Sequence, residues 1–225
     1  MSAHILVEYT ELHRALGVSK ILVHDLNLNS RLKKILSRYH DTGLVDVLPM
    51  KFPGNVSEEM QKARYNHPLY ADAQMAVYDC MERLSGYGFI GIIDFDEILD
   101  LLSTHENAGS FMFGVEQFIR DWNISNNSTL ESMRYIQRME PDYVRPKLVH
   151  IPGRVGMVWT HDASPLWGFK RYRVPFGVAT IHHYRTCRFE VRENCSNAPR
   201  FSDARLLSLE DAIKHRVQKI LEIFP

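Results

Sequence analysis

The stretch FIGIIDFDEILDLL, residues 89–102, sets Asp94, Asp96 and Glu97 into a run that otherwise reads as a buried strand. A buried carboxylate without a partner is strongly unfavourable, so the acids need a reason. Successive side chains of a strand alternate faces, which puts Asp94 and Asp96 on one side and Phe95 on the other. Extended, the two carboxylates stand about 6–7 Å apart. That spacing is poor for an acid/base couple and good for holding a hard divalent cation together with its ligand. In open α/β sheets ligands sit beyond the carboxyl ends of the strands. These acids fall where the apolar run ends, at the expected lip of a cleft. The plain alternative is a polar turn in which Asp96 or Glu97 caps a helical turn over DEILDLL.

Upstream, helix and strand alternate. MSAHILVEYTELHRALG carries Ile5, Tyr9, Leu12 and Leu16 at helical spacing, and KILVHDL (20–26) reads as a strand. NSRLKKILSRYHDTG predicts a helix capped by Ser30, with Leu32, Ile35, Leu36 and Tyr39 on one face. LVDVLPM (44–50) is the next strand, and ADAQMAVYDCMERLSGYG a helix with Val77, Met81 and Leu84 inward. This rhythm predicts a mostly parallel sheet covered by helices. After Asp96 the pattern changes. EQFIRDW and LESMRYIQRM read as helical, whereas YVRPKLVHI, RVGMVWTH and VPFGVATIHHYR read as extended. The tail, 208–224, predicts a helix opened by a Ser208–Asp211 capping box, with Ile213, Val217, Ile220 and Leu221 buried. No repeat or linker interrupts the chain, which reads as one domain over residues 1–225.

Composition narrows the function. A hydrophobic content of 45 % supports a full core, and 27 basic against 27 acidic residues argue against a whole-surface nucleic-acid binder while leaving room for a local basic patch. No stretch reaches the length of a membrane helix, and no signal peptide opens the chain. Cys80, Cys187 and Cys195 are too far apart for a metal knuckle; Cys187 and Cys195 form a local disulfide, or all three are ordinary thiols.

Other residues join the acids as site candidates. His182 and His183 end a late strand, and alternation gives only one of them to any face. Arg145 and Lys147 supply positive charge suited to phosphate, though both types are routine on solvated surfaces. Gln74 lies on the inward stripe of its helix, where an amide needs a backbone or ligand partner. Asp79 and Arg83, at i and i+4, have the spacing of a helix-surface ion pair.

Taken together, these residues resemble glycosyltransferase family 92. The resemblance rests on HRALGVSKILVHDL, ILSRYHDTGLVDVL, AQMAVYDCMERLSGYGFIGIIDFDEIL, VRPKLVHIPGRVGMVWTH and the final His183-Tyr184-Arg185, in that order over about residues 5–190. It implies a Rossmann-like sandwich of GT-A type, here expected to lack its first strand. It also implies an inverting enzyme that uses Mn2+ (or Mg2+) to move galactose from UDP-galactose, its nucleotide-sugar donor, to a glycan acceptor. Asp94 and Asp96 would be the DxD pair and His183 the third metal ligand, with His182 the fallback. Gln74, Asp79, Asp94, Arg145 and Lys147 would shape the donor site. The catalytic base is left open among Glu97, Glu106, Glu116 and Asp121. Family members are expected in the Golgi lumen, anchored by an upstream membrane helix. The triplets at Asn123, Asn126, Asn127 and Asn194 fit such a lumen. Two competing readings are a relative that binds nucleotide or glycan without turnover and a DxD phosphohydrolase. The second is disfavoured because Glu97-Ile98 stands where that class places its Thr or Val.

Overall fold

The computed structural model describes residues 2–50, 57, 59, 70–95, 97–99, 107–124, 126–187 and 195–224. Asp96 and Glu106 lie outside them, as does Asn194. The N-terminal part follows the expected alternation: α1 (Ala3–Ala15), β1 (Ile21–Asp25), α2 (Ser30–Asp41), β2 (Val45–Pro49) and α3 (Tyr70–Arg83). β1 and β2 pair in parallel and form a small sheet of their own. Asn29, rather than Ser30, caps α2, its side-chain oxygen accepting from Leu32 N at 2.9 Å. On α1 the buried face runs through Leu6, Val7 and Leu12 instead of Ile5, Tyr9 and Leu16, because the helix packs on two sides, against α2 and the C-terminal helix.

The second half is a sheet of eight strands: β3 (Ile90–Gly91), β4 (Glu97–Leu99), β5 (Ala108–Ile119), β6 (Gln137–Arg138), β7 (Asp142–His150), β10 (Lys170–Arg173), β11 (Thr180–Arg185) and β12 (Phe201–Ser202). β8 (Val155–Val158) and β9 (Ala163–Pro165) make a separate hairpin. The expectation of a mostly parallel sheet is corrected. β5 runs parallel to β10 and β11, but β5–β6, β5–β7, β3–β7, β4–β11 and β6–β12 are antiparallel. A parallel pair needs a long crossover, usually a helix. Among the described residues between β5 and the tail helix the one α-helix, α4 (Glu131–Arg134), spans only four residues, and strands β6 to β9 fill the rest of the crossover.

EQFIRDW is likewise not helix: EQFI forms the end of β5 and RDW turns away from it, and LESMRYIQRM gives only α4 and β6. In β5 a helical reading of residues 116–119 loses to cross-strand pairing on both edges: Gln117 faces His183, and Phe118 faces Tyr184 and Arg138. The tail helix is present as α5 (Glu210–Ile223), but no capping box forms; Ser208 Oγ donates to Arg205 O at 3.1 Å inside a preceding 3-10 turn.

The large sheet divides two environments. One face carries Phe118 and Tyr184 into a core with Leu6, Leu12, Ile35, Leu36, Tyr39 and Val217 from α1, α2 and α5. Glu8 of α1 ties this layer down, its carboxylate accepting from Glu131 N and Ser132 N at 2.7 Å each and thereby satisfying the first amides of α4. The opposite face holds a second core of Phe111, Phe113, Val115 and Ile181.

Two buried histidines set an acid limit on this fold. His13 and His150 are 1 % and 0 % exposed, and burial pushes both down to about 4 from 6.5. Each is therefore neutral when folded, and its contribution is fully present above the unfolded value and lost as pH falls toward the folded one. Between pH 7 and 5 each costs about 2 kcal/mol of stability. Denaturant titrations at the two pH values should show this loss, and it should shrink by about half in His150→Leu. A flat profile contradicts the assignment.

Candidate functional site

Asp94 and Phe95 lie in a turn between two strands that pair with different partners. β3 runs beside β7, with Ile90 opposite His150, and β4 runs beside β11, with Glu97 opposite His183. The turn closes on itself: Glu97 N donates to Asp94 O at 3.1 Å, and Asp94 N donates to Glu97 Oε2 at 2.9 Å. Phe95 turns into the helix-side core and packs on Tyr9, with ring centroids 4.8 Å apart. The aromatic residue between the acids thus pins the turn while Asp94 projects outward, its side chain 62 % exposed.

Beneath Asp94 lies a buried charge cluster. Lys147 of β7 is 2 % exposed and places its ammonium 2.7 Å from Asp94 Oδ2 and 2.9 Å from Glu97 Oε2. Burial pushes the Glu97 carboxyl up, only partly offset by the Lys147 charge. Burial also works against the charged form of Lys147, but the Glu97 and Asp94 carboxylates outweigh it and hold the amine above its usual value. From Glu97 the cluster reaches His183, whose Nδ1 stands 3.8 Å from Oε1, beyond direct hydrogen-bond range. With Nδ1 on the Glu97 side, Nε2 is the ring nitrogen turned away from that carboxylate.

His183 opens onto a groove on the side of the sheet away from α1 and α5. Gln117 sits opposite it on β5, while Asp142, Arg145 and Arg185 line the rest. Asp142 Oδ1 accepts from Val144 N at 2.8 Å. The far end is closed by the Cys187–Cys195 disulfide, which settles the choice between a disulfide and three thiols. Cys80 is the free cysteine, its thiol pushed up to about 11 by burial.

His182 points to the other face, as alternation requires. It joins Glu116 and Asp203 in a cluster whose ligand atoms lie within 4.8 Å of one another, the one such metal-capable group among the described residues. Arginines fill it. Arg205 pairs with Glu116 and Asp203 and donates to His182 Nε2 at 3.0 Å, and Arg138 stands 3.4 Å from Glu116 and 3.3 Å from Asp203. Burial alone would raise both carboxyls, but the Arg205 hydrogen bonds hold Asp203, and His182 with the arginines holds Glu116, below the ordinary range. This network fastens the segment before α5 to the sheet. Its charge is already balanced without a metal.

The remaining candidates are dispersed. Gln74 donates to Val158 O, so its partner is backbone. Asp79 forms the anticipated bond with Arg83 at 2.9 Å and accepts from His24 of β1 at 2.9 Å. Arg145 is exposed on β7. Among the acids considered as a base, Glu97 and Glu116 are buried in ion pairs, and Asp121 accepts from Cys187 N. Sequence reasoning missed Asp142, which carries no motif; only the pairing of β7 with β5, Asp142 opposite Val115, brings it to the groove.

No helix among the described residues is long and apolar enough to cross a membrane. No curated protein matches the chain. Residues 2–217, nearly the whole length, match the profile of Glycosyltransferase family 92, which spans the DFD turn, the buried Lys147 and the HYR strand alike. The chain therefore belongs to glycosyltransferase family 92.

Proposed function

We propose that the protein is a metal-dependent, inverting glycosyltransferase of GT-A type that moves galactose from UDP-galactose to a glycan acceptor. The observation that carries the reading is the exposed Asp94 held by Lys147 above the buried Glu97, with His183 3.8 Å from that same Glu97 and lining a groove. The donor set suits the cation: a hard carboxylate oxygen and an imidazole are ligands that Mn2+ accepts together. Asp94 and His183, with Asp96, would hold it. When bound, the cation neutralises charge on the diphosphate leaving group as a Lewis acid.

The chain's own residues do the rest. Arg145 and Arg185 line the groove with positive charge for the diphosphate. Lys147 acts on the donor through Asp94, orienting that carboxylate with its ammonium 2.7 Å from Oδ2. Asp142 is the one carboxylate among the groove's lining residues, and it would take the proton from the attacking acceptor hydroxyl. A luminal Golgi location fits the disulfide and the exposed Asn123 and Asn127.

Incubation with UDP-galactose, Mn2+ and a panel of free glycans should release UDP and yield a galactosylated product, and chelation should stop it. Product from another UDP-sugar alone would correct the donor. UDP binding with no release from any sugar would favour a binding protein without turnover.

A further inference from the structure

The floor of the groove is one stretch of β5. Successive side chains of a strand alternate faces, so Glu116 and Phe118 go to the helix side while Val115, Gln117 and Ile119 go to the groove. Val115 and Ile119 are buried, and Gln117 between them is half-buried. The Gln117 carbonyl accepts from Met139 N at 2.9 Å, whereas its side-chain amide has no hydrogen-bond partner among the described residues. A carboxamide drawn partly out of water onto an apolar floor gains when a ligand meets it.

The position of Gln117 says which ligand that is. β5 lies between β11 and β7, with Gln117 opposite His183 on the first and Val115 opposite Asp142 on the second. The backbones at His183 and Asp142 are therefore two interstrand spacings and two residues apart, about 12 Å. The inference rests on the function proposed above, in which the diphosphate is held on the His183 side and the acceptor hydroxyl gives its proton to Asp142. The transferred hexose joins those two points, so it lies over the strand between them, on Val115 and Gln117. The other polar side chains named on the groove wall, His183, Asp142, Arg145 and Arg185, already have tasks in that reaction. Gln117 is the one neutral amide among the described lining residues.

We propose that Gln117 recognises hydroxyl groups of the transferred hexose and thereby sets which UDP-sugar is accepted. Its carboxamide oxygen accepts from one hydroxyl while its NH2 donates to the oxygen of the next. Two vicinal hydroxyls of a pyranose engage both ends, and Val115 takes the C–H face of the ring. A neutral amide does this without competing for the cation or the diphosphate, as a carboxylate or a guanidinium at this position would. Hydrogen bonds to a substrate hydroxyl discriminate against a sugar that lacks it far more than apolar contact does. Galactose and glucose, which differ in the orientation of one hydroxyl, are the pair on which such a residue acts.

The test is calorimetric titration of UDP, UDP-galactose and UDP-glucose into the whole chain with Mn2+, repeated on Gln117→Met. The variant keeps the length of the side chain and the backbone bond to Met139, and its thermal unfolding should match that of the wild type. UDP should bind both proteins alike. Affinity for UDP-galactose relative to UDP should fall about tenfold in the variant, and the difference between UDP-galactose and UDP-glucose should narrow. Unchanged ratios, with UDP still bound, would overturn the role of Gln117 and leave the nucleotide site standing. An equal loss for UDP and both UDP-sugars would overturn it too, making Gln117 a support of the nucleotide site. Absence of UDP binding by the wild type would remove the donor site itself, and this inference with it.

Discussion

Lys147→Met lowers folding stability by about 3–5 kcal/mol, the penalty for leaving a buried charge without its partner. Glu97 is 1 % exposed, and the Lys147 ammonium 2.9 Å away is its principal counter-charge. Without it, Glu97 takes up a proton or drags water inward, and Asp94 loses the bond that fixes its carboxylate. The double variant Lys147→Met/Glu97→Gln removes charge on both sides and should regain much of the loss. Urea titration at pH 7 measures both. A single variant within 1 kcal/mol of wild type would mean that the cluster is not the support described here.

Asp142→Asn cuts kcat for transfer by about 10²–10⁴, the usual contribution of a positioned general base, with little change in donor KM. The amide keeps the side-chain oxygen that accepts from Val144 N, so the local turn survives while the proton acceptor is gone. Steady-state rates at saturating donor and acceptor make the comparison. Equal kcat in mutant and wild type would remove Asp142 from the chemistry.

The sequence was most legible where elements are local. The helices at 30–41 and 70–83, the strands at 21–25 and 45–49, and the tail helix follow from apolar periodicity and are found in place. It was least legible where the partner of a segment lies far along the chain. Glu116 to Ile119 reads as the start of a helix, yet becomes strand because β11 and β6 pair with it. The parallel rhythm of the first half does not carry through the second, since nothing local announces that β5 will have parallel neighbours on one edge and antiparallel ones on the other. The same limit applies to the candidate site. Alternation placed Phe95 opposite Asp94 and split His182 from His183. It could not show that Lys147, taken for a phosphate ligand, would be buried between Asp94 and Glu97, because that depends on β7 lying beside β3 and β5.

The most direct test of the central claim is calorimetric titration of UDP into the protein with and without Mn2+, repeated on Asp94→Ala and His183→Ala. The account predicts binding that requires Mn2+ and falls by at least about tenfold in each variant, while Arg205→Ala, in the arginine-filled cluster on the opposite face, retains it. Manganese-dependent binding that survives both substitutions would contradict the account, placing the nucleotide away from the DFD turn and its groove.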